Sequence, residues 1–330
     1  MKKTIFSILI LITLAFTLCG CTYSAENYIF GTYYSIEIEG NNAKNKGKEI
    51  DTLFKEIDNA LSTSIIESDV SKINLSKANE PIKVSQITAD IFKISKEMYL
   101  VTLGAFNPAS FPLTELWCFS PSTYLGIANK IPTVEQIQEV KAYCDFDLFS
   151  LDENNLTITK SHDKAMLDFG AIAKGYAADR AYKVIEDQKS FVIDVGRTFR
   201  VKEEVSLMVA NPREGDFVAK ATLCSNSVAT SGDYERYYIV DNKRYHHIIG
   251  KDGYPSGTFD NSPIISATII GESATICDAL STATMVLGYD SSKPILEKLG
   301  YSALLLTEDG YYTIGENLFE IKDQSLTKLN

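Results

Sequence analysis

Between Leu156 and Ile270 the chain carries one short apolar run after another: LTIT (156–159), FVIDV (191–195), VSLMVA (205–210), RYYIV (236–240) and IISATII (264–270), with ALLLT (303–307) following. Runs this short, rich in β-branched and aromatic residues, read as strands. Helical spacing gathers in the first half and near the C-terminus. Ile50, Leu53, Phe54, Ile57 and Leu61 fall on one helical face, as do Ile87, Ile91, Ile94, Met98 and Val101. Thr133 and Gln136 have capping-box spacing just after Pro132. Strands massed in the middle with helices to either side predict an α+β fold with mixed or antiparallel sheets and packed helices, not the regular alternation of a doubly wound sheet. The 330 residues suffice for one large domain or two intimate ones, and no linker divides them.

The N-terminus reads as a targeting segment. Lys2 and Lys3 precede IFSILILITLAFTL, which is short for a membrane span and ends in LCGC, Leu18 to Cys21. That ending resembles the lipobox of bacterial lipoproteins, in which a peptidase cuts before the last cysteine and its thiol carries lipid. The expectation is a signal peptide over 1–20, lipidation at Cys21, a short tether over 21–28, and a globule held on the extracytoplasmic face of the cell membrane. Cys118, Cys144, Cys224 and Cys277 remain. No C-x-x-C pair occurs among them, so no metal or disulfide framework is legible and buried free thiols are expected for most. A net charge of −11 without any basic stripe argues against nucleic acid as a partner.

The stretch DFGAIAKGYAADRA (168–181) poses the functional question. Ala173, Tyr176, Ala177, Ala181, Val184 and Ile185 keep helical spacing, so the glycines sit where a loop or strand enters a helix. Such a terminus offers free N–H groups to an anion, and Lys174 adds a cation. The P-loop pattern is absent, and a tight turn packing helix on sheet explains the same residues equally well.

GAFNPA (104–109), SVATSGDYERYY (227–238), YHHIIGKDGYP (245–255) and CDALSTATMVLG (277–288) are likewise polar, turn-rich and specific. Together with DFGAIAKGYAADRA, and in this order, they resemble the motif set of the ApbE family, bacterial FAD:protein FMN transferases. The resemblance runs from FGTYYSIEI (30–38) to about Gly288 and implies one flavinyltransferase domain over 29–330. It departs from the family's pattern at Asn107, which stands for an acidic residue, at Gly250-Lys251, which stand for Asp-Pro, and at DVGRTF (194–199). There Arg197 replaces a small residue and would either trim the pocket or reach a phosphate.

The resemblance implies a role for each matching residue. Phe30, Ala105, Phe106, Asn107, Asp168, Lys174 and Ile249 match contacts to FAD, the substrate. Asp278 and Thr282, four apart on one helical face, would bind Mg²⁺ with the backbone carbonyl of Ala171. Of the three histidines, His162, His246 and His247, the family's pattern selects His247 as general base. If RYHHII is extended, only one of the adjacent pair faces the site. The expected reaction is attachment of FMN to a Thr or Ser of an exported or membrane flavoprotein, releasing AMP. An FAD pyrophosphatase and a non-catalytic, lipid-anchored flavin-binding protein remain as alternatives.

Overall fold

The computed structural model describes residues 22–126, 131–213, 215–259, 263–323 and 325–329. The chain opens with strands β1 (Thr22–Ile29) and β2 (Thr32–Glu39), then helices α1 (Ala43–Leu61) and α2 (Asp69–Leu75), the short β3 (Ile82–Lys83) and α3 (Gln86–Val101). Helices α4 (Phe111–Leu116) and α5 (Val134–Lys141), strands β4 (Phe149–Asp152) and β5 (Thr157–Lys160), and α6 (Ala173–Ile185) follow. The strand-rich part comprises β6 (Ser190–Val195), β7 (Thr198–Val201), β8 (Glu204–Ala210), β9 (Phe217–Cys224), β10 (Ser227–Gly232), β11 (Tyr237–Val240), β12 (Lys243–His246) and β13 (Ser266–Gly271). Helix α7 (Ala274–Leu299), broken at Gly288, and strands β14 (Ser302–Leu306), β15 (Tyr311–Ile314) and β16 (Phe319–Ile321) complete it.

An eight-stranded sheet, ordered β1-β2-β6-β7-β10-β13-β14-β15 with every neighbour antiparallel, is the frame. Its central strands are covered on both faces, which is why they read as continuous apolar runs rather than alternating ones. Ala229, Ile269, Ala303 and Leu305 face α1, α6 and α7. Their immediate neighbours Val228, Ile270, Leu304 and Leu306 face the small sheet β8-β9-β16. The fold is α+β, as the run pattern predicts.

The 21–28 segment needs correction. Thr22–Ile29 is an edge strand paired along its whole length with β2, not a tether. Phe30 (φ 53°) and Gly31 (φ 70°) form the two-residue turn that closes this hairpin, and Tyr23 packs over Gly47 of α1. Strand pairing and one packed aromatic outweigh the polar look of TYSAENY. Cys21 and the 1–20 segment lie outside the described residues, and no described helix is long and apolar enough to cross a membrane. Cys144 and Cys277 are buried free thiols as expected, whereas the equally free Cys118 and Cys224 are partly and fully exposed.

A third cluster, built on Leu113, Trp117, Phe119, Ile137 and Tyr238, holds the β11-β12 hairpin over α4 and α5. The buried indole of Trp117 donates to the Gly253 carbonyl at 2.8 Å, pinning the turn that follows β12.

Candidate active site

A cavity of about 930 Å³ opens where the β1-β2 and β6-β7 turns meet the N-terminal end of α6, the flank of α7 and the segment after β12. That volume suits a dinucleotide-sized ligand. All eleven residues singled out from the sequence line it: Phe30, Ala105, Phe106, Asn107, Asp168, Ala171, Lys174, His247, Ile249, Asp278 and Thr282.

The glycine turn serves close packing, here of helix on helix. Gly175 lies so close to α7 that a Cβ would stand 2.2 Å from the Ala274 carbonyl oxygen and 2.8 Å from Thr275 Cα. Asp179, one turn further along α6, caps the start of α7, accepting from Ser273 Oγ, the Ala274 and Thr275 amides and Thr275 Oγ1. These contacts lock two helices side by side. Lys174 thereby comes to rest on Asp278, with Nζ 3.3 Å from Oδ1, 3.4 Å from Oδ2 and 3.1 Å from the Gly170 carbonyl oxygen. Ala171 also lines the cavity, yet the turn carbonyl that meets the ammonium is that of Gly170.

Asp278 is buried, and its other contact is the Gly175 amide at 3.0 Å. One turn along α7, Thr282 shares a hydrogen bond of 3.1 Å with Ser231 Oγ, which also meets Ser281 at 2.7 Å. Carboxylate, hydroxyls and turn carbonyls form an oxygen-only donor set, the kind a hard divalent ion prefers. The ammonium already resting there marks the spot as one that attracts positive charge. Among the described residues no group of three or more His, Cys, Asp or Glu side chains converges, so such an ion would complete its shell with water or phosphate oxygens.

The two adjacent histidines part company after β12. His246 is structural: its Nε2 pairs with the Ser256 carbonyl at 2.9 Å while Nδ1 accepts from the Ile248 amide at 3.4 Å, which sets the proton on Nε2. His247 lines the cavity, held through its backbone N–H to the Arg236 carbonyl at 3.0 Å, and its buried Nδ1 has no hydrogen-bond partner. Burial first, and then the Arg236 charge, keep the His247 imidazole neutral well below the ordinary histidine value.

The Asn107 amide is engaged at both ends: Oδ1 accepts from the Ala109 amide and Nδ2 donates to the Cys144 carbonyl, both at 2.9 Å. A carboxylate could not make the second bond, so the asparagine here ties the GAFNPA loop to the end of α5. Asp168 accepts from the Gly170 amide at 2.8 Å, and burial raises its carboxyl above the usual range. Phe30, in the left-handed region at φ 53°, stacks edge-on against Phe54 with centroids 6.0 Å apart.

Several lining residues escaped the sequence reading. Ser231, Glu235 and Arg236 lie inside SVATSGDYERYY, a segment conspicuous in the sequence but without a legible role for each side chain. Arg197, second residue of the Gly196-Arg197 turn, forms an ion pair with Glu235 at the rim.

Comparison with known proteins agrees with this geometry. The model of the ApbE family matches residues 30–305. The FAD:protein FMN transferase of Haemophilus influenzae is 27% identical over 347 residues, covering 97% of this chain and 98% of that one. The enzyme of the same name from Escherichia coli is 26% identical over 300 residues, covering 86% and 84%. Among solved structures, the ApbE protein of Thermotoga maritima superimposes with a TM-score of 0.77 at 30% identity over 92% of this chain and 98% of that one. The flavin transferase ApbE of Vibrio cholerae, at 23% identity, shares the fold with a TM-score of 0.78 over 91% and 98%. With a family match spanning most of its length and the motif residues gathered around one cavity, the chain belongs to the ApbE family.

Proposed function

We propose that the protein is an FAD:protein FMN transferase. The hydroxyl of a Thr or Ser on an exported or membrane flavoprotein attacks the phosphorus next to FMN. A phosphoester O–P bond forms, the P–O bond to AMP breaks, and AMP leaves. The observation that carries this reading is the meeting of five sequence-distant segments around one cavity, with the Lys174–Asp278 pair and the neutral, unpartnered imidazole of His247 on its walls.

Phe30, Ala105, Phe106 and Ile249 offer the apolar surface that covers flavin and adenine rings, and Asp168 offers an acceptor to a ribose or base N–H or O–H. Lys174 brings positive charge to the diphosphate. His247 takes the proton of the attacking hydroxyl, a task for which its neutral ring is ready. Asp278, Thr282 and a carbonyl of the 170–171 turn would hold Mg²⁺, which when bound supplies further positive charge to the diphosphate. Asn107 lines the same pocket, and one bond at Oδ1 leaves that oxygen a second lone pair for FAD. The proposal includes an anchor, lipid on Cys21, supported by LCGC at 18–21. Since β1 starts at Thr22, the domain would stand close to the outer face of the membrane with almost no spacer.

Incubation with FAD, Mg²⁺ and a flavoprotein bearing a candidate Thr or Ser tests the reading, by in-gel flavin fluorescence, intact mass and AMP release. Transfer labels the acceptor and frees AMP. AMP with free FMN and no labelled protein would make the protein a pyrophosphatase, and neither product would make it a binder.

A further inference from the structure

The Lys174 ammonium is bound as a metal ion would be. It lies within 3.4 Å of both Asp278 oxygens and 3.1 Å from a turn carbonyl, on a side chain three-quarters buried against a carboxylate side chain that is 5% exposed. Its stem passes close to Gly196, where a Cβ would stand 3.2 Å from Lys174 Cδ. A divalent ion on Asp278 would face this ammonium across a single carboxylate, a repulsion that a buried site screens poorly. Moving the ammonium into the cavity without an anion to receive it leaves a desolvated charge unpaired.

We infer that Lys174 is a resident counter-ion that excludes the divalent cation from Asp278 until a diphosphate arrives to receive the ammonium. This rests on the reading of Asp278 as the cation seat. Lys174 thus couples metal and nucleotide: the ion enters as the ammonium moves from carboxylate to phosphate, and each ligand raises the affinity of the other by the same factor. The diphosphate also offers oxygens to the metal directly, so the part owed to Lys174 is the part that its removal abolishes. Lys251 lines the same cavity without touching Asp278 and serves as the control for charge at a distance.

The test is Mn²⁺ binding to the full folded domain without nucleotide, followed by electron paramagnetic resonance or calorimetry. Lys174→Met is expected to bind Mn²⁺ about 10-fold or more tightly than wild type, within the usual range of coupling energies, and Lys251→Met within about twofold. Lys174→Met should also melt lower than wild type in EDTA and recover on adding Mn²⁺ alone. Lys174→Gln, which keeps a donor on a shorter stem, provides a second variant should Met disturb folding. Equal or weaker Mn²⁺ binding by the folded Lys174 variants, with wild type binding Mn²⁺ normally beside ADP, overturns the inference and leaves the cation seat standing. An Asp278→Asn variant that binds Mn²⁺ beside ADP as well as wild type does overturns the seat itself, and the inference with it.

Discussion

Gly175 and Ala274 touch backbone to backbone, leaving no room for a single methyl group between α6 and α7. Because Lys174 and Asp278 lie one residue and one turn away from this contact, helix packing sets the geometry of the charged pair in the cavity.

Gly175→Ala is therefore expected to be costly. The new Cβ meets a carbonyl and a Cα rather than a flexible side chain, so overpacking should remove about 1–3 kcal/mol of stability. Flavin transfer should fall further than the stability loss explains, because the helices must part where Lys174 meets Asp278. An unchanged melting temperature would contradict the packing argument.

Asp278→Ala removes the carboxylate that Lys174 rests on, one turn from Thr282. Lys174 remains partly reachable by water, so stability should drop modestly while FMN transfer and AMP release collapse. Thr282→Ala should be milder, since water can replace a hydroxyl ligand. Full AMP release by Asp278→Ala, or undiminished wild-type activity in EDTA, would contradict the assignment.

For His247, replacement by Ala should cut transfer by about 10²–10⁴-fold with little change in FAD affinity. Since burial and Arg236 depress its pKa, the transfer rate should stay flat through pH 6.5 and decline only in more acidic buffer. The same shift acts on stability. The unfolded chain takes up a proton near pH 6.5 that the folded ring refuses, so stability is complete above that value and is lost as pH falls below it. Measured between pH 7.5 and 5.5, the acid loss should be smaller in His247→Gln than in wild type. Equal losses would show that the folded imidazole titrates normally.

His246→Ala should separate structure from chemistry. The variant loses the part-buried bond to the Ser256 carbonyl, a cost of about 1–3 kcal/mol. Transfer per folded molecule should remain within a few-fold of wild type. A loss as deep as that of His247→Ala, in a protein that melts normally, would move the proton acceptor to His246.

Replacing Cys21 with Ser should release the protein from membranes or leave the 1–20 segment uncleaved. Fractionation and mass spectrometry of the N-terminus decide the matter. An unmodified N-terminus well downstream of Cys21 would remove the anchor from the proposal.

The sequence by itself marked several of the strands and helices, because their apolar residues repeat with the period of the element they form. It also determined the α+β class, and it exposed the residues of the cavity through five motifs whose types suit one chemistry. What it left undecided depends on neighbours far along the chain. TYSAENY looks like a tether until β2 pairs with it. That the glycine turn packs helix against helix is visible only when Gly175 meets Ala274 across 99 positions. Periodicity gives His246 and His247 the same standing, and although the family's pattern selects His247, the physical reason is the Ser256 carbonyl on one side and the open cavity on the other. Periodicity is a local property and survives in one dimension, whereas burial, charge pairing and the direction of a side chain are set by the residues that folding brings against it.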